Sequence, residues 1–162
     1  MLHAAVIAIT VVLAGCGFRM RGQASLPFET LYITGGSAIA VDLKRNITAG
    51  TRTRVVQTQN EAQAILGFTQ DAREKVILSF NTQGRVREYQ LRYRVGYRLH
   101  DTRGRDYIAA NEILLTRDIS FNDAQVLAKE SEEALLFRDM QADMVQQILR
   151  RLAAVRLPTE GQ

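Results

Sequence analysis

The stretch Arg85–His100 constrains the fold more than any other part of this chain. Arg85, Arg87, Tyr89, Leu91, Tyr93, Val95, Tyr97 and Leu99 fall on one side of a period of two, and from Tyr89 onward that side is apolar. The other side carries Glu88, Gln90, Arg92, Arg94 and Arg98. Alternation this long means a half-buried strand with one face on a core and one in water. Such a strand needs neighbours. Before it, Ala64–Asn81 carries strand signals, with Val76, Leu78 and Phe80 alternating, and Thr82-Gln83-Gly84 supplies a turn. After it, Asp101–Arg105 contains Gly104 and reads as a second hairpin turn. Asp106–Phe121 follows as a strand with Ile113, Leu115, Ile119 and Phe121 on one side. These three segments predict an antiparallel meander.

The flanks supply the cover. Glu29–Thr34 alternates around Leu31 and Ile33 as a strand, and Gly35-Gly36 makes a turn. Ser37 is a candidate N-cap, and Ile39, Leu43 and Ile47 recur every four residues on one helical face. Gly50 is expected to end that helix as its C′ residue. Thr53–Thr58 is β-branched and reads as a strand, and a strand–helix–strand run favours parallel pairing. Asn122 or Asp123 can cap a last helix that runs to Val155 without Gly or Pro. Phe137, Met140, Met144, Ile148, Leu152 and Val155 give it a core stripe, and Pro158 follows its end. The fold class expected is α+β: a mostly antiparallel sheet in β-α-β-β-β-α order, with two helices packed on it. The chain of 162 residues suits one domain, placed at 29–157, with a short tail at 158–162.

The residues from Leu2 to Ala14 contain no Lys, Arg, Asp or Glu and precede Leu13-Ala14-Gly15-Cys16. An apolar run this short falls below the roughly 20 residues of a spanning helix and fits a signal-peptide core. The pattern L-A-G-C resembles the bacterial lipobox. That resemblance implies cleavage before Cys16, a diacylglyceryl group on its thiol and acylation of the new amine. Residues 1–15 are then a signal peptide, and 16–28 a lipidated start and tether. Several acyl chains at about 0.8 kcal/mol per buried methylene anchor firmly. Gly17 rather than Asp after the cysteine implies delivery to the outer membrane.

Chemistry at a catalytic centre finds little support. One cysteine and two histidines exclude a disulfide framework and multi-cysteine or histidine-rich metal sites, so no metal and no cofactor is expected. No nucleophile elbow, zincin motif, P-loop or dinucleotide fingerprint is present. His100 reads as a turn histidine, and Glu130, Glu132 and Glu133 as a solvated helix face near its positive pole.

Charge is more telling. Residues 61–104 hold eight Lys or Arg and five Asp or Glu, whereas residues 105–162 hold seven and ten. The hairpins are basic and the long helix is acidic. Arg85, Arg87, Arg92, Arg94 and Arg98 share one strand, and guanidinium forks bind phosphate bidentately. Either this is an anion site, or it is a solvated face with cross-strand ion pairs. The anion can be a phospholipid, a nucleic acid or lipopolysaccharide, and export to the outer membrane argues against nucleic acid. Tyr89, Tyr93 and Tyr97 read as core, with contact to acyl chains as the alternative.

Several segments resemble the LptE family of lipopolysaccharide-assembly lipoproteins. They are C-G-F-R-M-R-G at Cys16–Gly22, L-P at Leu26-Pro27, G-R-V-R-E-Y-Q-L at Gly84–Leu91, V-L-A-K-E at Val126–Glu130, and M-x-x-D-M-V-Q-Q-I-L-R-R-L at Met140–Leu152. The resemblance spans nearly all of the chain after Cys16, in family order. It implies an outer-membrane lipoprotein inside the lumen of the β-barrel LptD, acting as plug and assembly partner, and direct binding of lipopolysaccharide. The family's basic residues near the strand turn and at the start of the long helix are implicated in that binding. Lys129 matches the helix lysine. At the turn Thr82 stands where a basic residue is expected, and the charge lies at Arg85 and Arg87. Two other functions stay open at this level: a lipoprotein accessory of another barrel or envelope machinery, and a lipid-anchored periplasmic hydrolase, which would have to use His100.

Overall fold

Ser37 opens the first helix by accepting the Ala40 N–H on its side-chain oxygen at 3.5 Å, which satisfies one of the helix's free amides. The computed structural model describes residues 25–122 and 125–157. In them β1 spans Thr30–Ile33, α1 Ala38–Gly50, β2 Arg54–Val56, β3 Ala64–Phe80, β4 Val86–His100, β5 Asp106–Ser120 and α2 Val126–Ala153. A short 3-10 turn at Gln59–Glu61 leads into β3.

The sheet order is β2-β1-β3-β4-β5. β1 pairs parallel with β2, as the strand–helix–strand run predicts, and parallel also with the first three residues of β3. β3, β4 and β5 form the expected antiparallel meander. The sheet is therefore mixed, though most of its pairing is antiparallel. The order is β-α-β-β-β-β-α: all five segments read as strands are present, one strand more than the β-α-β-β-β-α order expected.

Both helices cover one face. Ile39, Leu43 and Ile47 of α1 and Met140, Met144, Ile148 and Leu152 of α2 are fully buried against Leu91, Tyr93, Val95, Tyr97 and Leu99 of β4. Phe137 and Val155 pack at the border of this core. The core also reaches back into the expected tether, since Leu26 and Phe28 are buried in it. The buried Thr53 hydroxyl donates to the Phe28 carbonyl at 2.8 Å and pins that segment to the start of β2.

Two helix ends differ from expectation. Gly50 is the last helical residue, not a left-handed C′ residue. Thr51 closes α1 with extended backbone, its N–H and its hydroxyl both donating to the Ile47 carbonyl. Asn122 does not cap α2. Gln125 occupies that position without a side-chain cap bond, and its N–H donates to the Asn122 carbonyl at 3.0 Å. Asp123, Pro158 and Cys16 lie outside the described residues.

Candidate anion-binding site at the hairpin end of the sheet

The β3–β4 turn is built by Asn81. Its Oδ1 accepts the N–H of Gln83 at 3.0 Å and of Arg85 at 2.9 Å, while Gly84 takes a φ of +74°. A β-carbon is disfavoured at that φ, so glycine is what lets the chain reverse here. The turn delivers Arg85 and Arg87 to the first residues of β4, both exposed. The Arg87 carbonyl accepts the Phe121 N–H at 2.8 Å, which places the end of β5 alongside. Ser120, one residue earlier, accepts from Lys129 Nζ at 3.1 Å. Lys129 also reaches Glu132 at 2.8 Å. The three cations singled out from the sequence, Arg85, Arg87 and Lys129, thus lie at one end of the sheet.

Apolar side chains crowd the same end. Ile77, Leu78 and Phe80 are 50%, 46% and 59% exposed, and Leu127 at the start of α2 is 80% exposed. The alternation of Val76, Leu78 and Phe80 does not give one buried face. Register shifts between Ile77 and Ser79 and between Ser79 and Phe80 break the period of two and turn these side chains outward. The contiguous run Val76-Ile77-Leu78 was the available signal. Beneath them, Lys75 Nζ sits 4.4 Å from the Tyr89 ring centre and 2.6 Å from Glu133, and Tyr89 meets Phe121 edge-on at 5.4 Å. Glu133 and Glu132 are therefore ion-pair partners, as a solvated helix face allows.

The arginines in mid-strand do not join this site. On the sheet face turned away from the helices, Arg94 pairs with Glu112 at 2.8 Å and Arg98 with Asp106 at 2.7 Å. Arg92 donates to Gln90, which donates on to Asp118. Arg94 and Arg98 spend their charge across strands and Arg92 is tied into the same polar network, so the solvated-face reading holds for them.

Tyr93 and Tyr97 are fully buried and belong to the core. Tyr97 accepts from Arg151 at 3.3 Å. The Tyr93 hydroxyl has no hydrogen-bond partner among the described residues. Burial first, then the negative charge of Asp71, push its phenol up to about 12, with Arg73 partly opposing.

His100 ends β4 beside the second turn and is half-buried. Its Nδ1 lies 2.8 Å from the Asp101 carbonyl oxygen, an acceptor only, so that nitrogen carries the proton. Among the described residues no group of three or more His, Cys, Asp or Glu is placed to hold a metal ion. None of their helices is long and apolar enough to cross a membrane. What the hairpin end can do is bind. Guanidinium and ammonium groups beside exposed apolar side chains suit an anion that carries hydrocarbon.

Comparison with known proteins agrees on one relationship. Residues 28–152 match the family described as LptE: Lipopolysaccharide-assembly. The LPS-assembly lipoprotein LptE of Photorhabdus laumondii is 25% identical over 150 residues, 90% of this chain and 81% of that one. Among solved structures, an uncharacterized lipoprotein B from Nitrosomonas europaea, determined by NMR in solution, superposes with a TM-score of 0.75. It is 48% identical over 85% of this chain and 91% of its own. The rare lipoprotein B of Shewanella oneidensis shares the fold, with a TM-score of 0.67 at 22% identity over 77% and 94% of the two chains.

Proposed function

The chain belongs to the LptE family of lipopolysaccharide assembly, and we propose from this that it is a non-catalytic lipoprotein of the Gram-negative outer membrane, anchored through Cys16. It acts as plug and assembly partner inside an LptD-type β-barrel and binds lipopolysaccharide on its way to the cell surface. Barrel interiors are polar. The sheet face free of helices carries Arg94 and Arg98 in cross-strand ion pairs and Arg92 hydrogen-bonded to Gln90, a surface suited to a water-filled lumen.

The observation that carries the ligand is the meeting of Arg85, Arg87 and Lys129 with Ile77, Leu78 and Phe80 at one end of the molecule. Lipid A presents phosphates and acyl chains together. The first suit the cations and the second the apolar residues. This end is also remote from the point where the chain enters the fold. β1 begins beside the start of β3, so Ser25 lies at one end of that strand and Phe80 at the other.

Co-expression with the LptD-type barrel of the same organism tests the partnership. A tagged chain extracted in mild detergent is expected to bring the barrel with it in equal amount. Folded, lipidated chain that leaves a folded barrel behind refutes the plug.

A further inference from the structure

The formal net charge of +4 sits entirely in the first part of the chain. Residues 61–162 hold fifteen basic and fifteen acidic side chains, and residues 1–60 hold six Lys or Arg against two Asp or Glu. Four of those six cations are among the described residues: Lys44 and Arg45 on α1, Arg52 in the loop after it, and Arg54 on β2. β2 is an edge strand, and these cations flank it. Lys44 and Arg45 line a groove with Val55 and Gln57. Arg52 and Arg54 line a cleft of about 530 Å³ with Ser25–Thr30, the segment by which the amino terminus enters the fold.

These charges are little used by the fold. Arg52 and Arg54 are exposed and have no ion-pair or side-chain hydrogen-bond partner among the described residues. Arg45 is 72% exposed at its side chain and, among the described residues, meets Asp42 at 3.4 Å. Lys44 donates to the Gly35 carbonyl at 3.2 Å. The acids on neighbouring elements are Asp42, the exposed Glu29, whose carbonyl accepts the Arg54 N–H, and the exposed Glu61 in the turn after β2.

We propose that this β2 edge docks on the anionic phospholipid headgroups of the leaflet that holds the anchor. The inference rests on the reading of Cys16 as lipidated, and reach supports it. Eight residues lie between Cys16 and Ser25, and the nine steps between those two residues span about 30 Å even fully extended. The patch therefore cannot leave the neighbourhood of the membrane surface. The hairpin end stands a further ~55 Å away along β3 at the rise of a strand. A basic surface beside an acyl anchor adds attraction that acts within a Debye length of an anionic surface. Docking at β2 would hold the long axis of β3 away from the membrane plane and point Arg85 and Arg87 outward from it.

Flotation with lipid vesicles tests this, using residues 16–162 with Cys16→Ser so that no acyl chain contributes. A chain of this extent is a folding unit, since the Nitrosomonas relative, covered to 91% of its length, is folded in solution. The chain is expected to bind vesicles of phosphatidylethanolamine with phosphatidylglycerol and not vesicles of phosphatidylcholine, and to detach between ~0.05 and ~0.5 M salt. Each cation near such a surface is worth about fivefold in partitioning. Lys44→Gln, Arg45→Gln, Arg52→Gln and Arg54→Gln together should therefore lower binding at least about tenfold. Arg94→Gln with Arg98→Gln, whose charges pair across strands, should leave it unchanged. The proposal is overturned by equal binding to neutral vesicles, by an unaffected quadruple variant, or by an equal loss in the Arg94 and Arg98 variant. The mass of protein extracted from cells reads the anchor separately. An unacylated Cys16 overturns the anchored reading whatever the vesicles show.

Discussion

Asn81 and Asp101 do the same work at opposite ends of β4. Each accepts, on Oδ1, the backbone N–H groups two and four residues onward: Gln83 and Arg85 for the first, Arg103 and Arg105 for the second. Each also donates its own N–H to the carbonyl of the fourth residue and accepts from a glycine at positive φ, Gly84 or Gly104. The two turns, N-T-Q-G-R and D-T-R-G-R, are one device used twice. Asn81→Ala removes two acceptor bonds from the first turn and should cost about 1–2 kcal/mol in urea unfolding. Asn81→Asp should be nearly neutral, because aspartate already performs this role at 101.

The second turn carries a charge that the first lacks. Asp101 is 7% exposed. Burial alone would raise its carboxyl pKa, but the N–H groups of Arg105 and Arg103 and the Arg105 guanidinium outweigh it and hold it below the usual range. A depressed carboxylate stabilises the fold fully above the unfolded value of about 3.9, and that contribution drains away as pH falls through the folded value. Asp101→Asn keeps the Oδ1 acceptor and loses the charge. It is expected to be less stable than the parent at pH 7 and to show a shallower loss of stability below about pH 4. Urea midpoints across that range check it. Parallel slopes for the two proteins would place the acid sensitivity elsewhere.

Gly96 sits where β3 bulges. The register jumps from Phe68 to Gln70, and Thr69 is the extra residue. A Cβ built on Gly96 would lie 2.5 Å from Thr69 Oγ1 and 3.2 Å from Gln70 Cβ. Gly96→Ala should therefore cost about 1–3 kcal/mol by overpacking, although alanine suits a strand better than glycine does. Adding Thr69→Ala removes the closer contact and should recover at least half of that loss. A double variant no better than the single one would shift the blame to Gln70.

Tyr93 buries a hydroxyl that gains nothing. With no partner among the described residues, its removal in Tyr93→Phe should be neutral or stabilising by up to about 1 kcal/mol at neutral pH. The phenol's raised pKa gives a second reading. A group protonated more tightly in the fold than in the unfolded chain stabilises fully below the unfolded value of about 10. That contribution is lost as pH rises toward about 12. The parent should lose about 2 kcal/mol across this window that Tyr93→Phe does not. Urea unfolding at pH 7 and at points from about pH 10 to about pH 12 compares the two.

Much of this fold was legible because its long elements each face one core. The alternation from Tyr89 to Leu99 and the stripe from Met140 to Leu152 survive intact in the buried set. Glycines 84 and 104 marked both turns. The unreadable parts are those where a local pattern is overridden. Ala64, Ile65 and Leu66 are all buried in a row, because the parallel pairing with β1 puts them mid-sheet, and such a run carries no period. Ile77, Leu78 and Phe80 turn outward at register shifts that no periodicity announces. Gly96, inside the clearest strand, was a signal of the bulge. Among candidate residues, the meeting of Arg85, Arg87 and Lys129 follows from topology: the turn brings the first two to the end where α2 starts. That Arg94 and Arg98 are spent on Glu112 and Asp106 depends on register, which the turn fixes and composition does not reveal.

The same contrast gives the sharpest test of the ligand site. Arg85→Glu, Arg87→Glu and Lys129→Glu together put three negative charges beside the exposed Ile77, Leu78 and Phe80. Charge-assisted bonds to phosphate are worth about 1.5–3 kcal/mol each, so lipopolysaccharide binding should fall at least about tenfold. Stability should change little, because polar contacts of exposed side chains, such as those of Lys129 to Ser120 and Glu132, are individually worth little. Arg94→Gln with Arg98→Gln is the counterpart. It breaks two cross-strand ion pairs on the open face and should leave lipopolysaccharide binding where it was. Titration with purified lipopolysaccharide, alongside melting temperatures for every variant, separates the cases. If the open-face pair loses binding and the hairpin triple does not, the ligand lies on the sheet, and the pairing of Arg94 with Glu112 is a closed state that lipopolysaccharide must open.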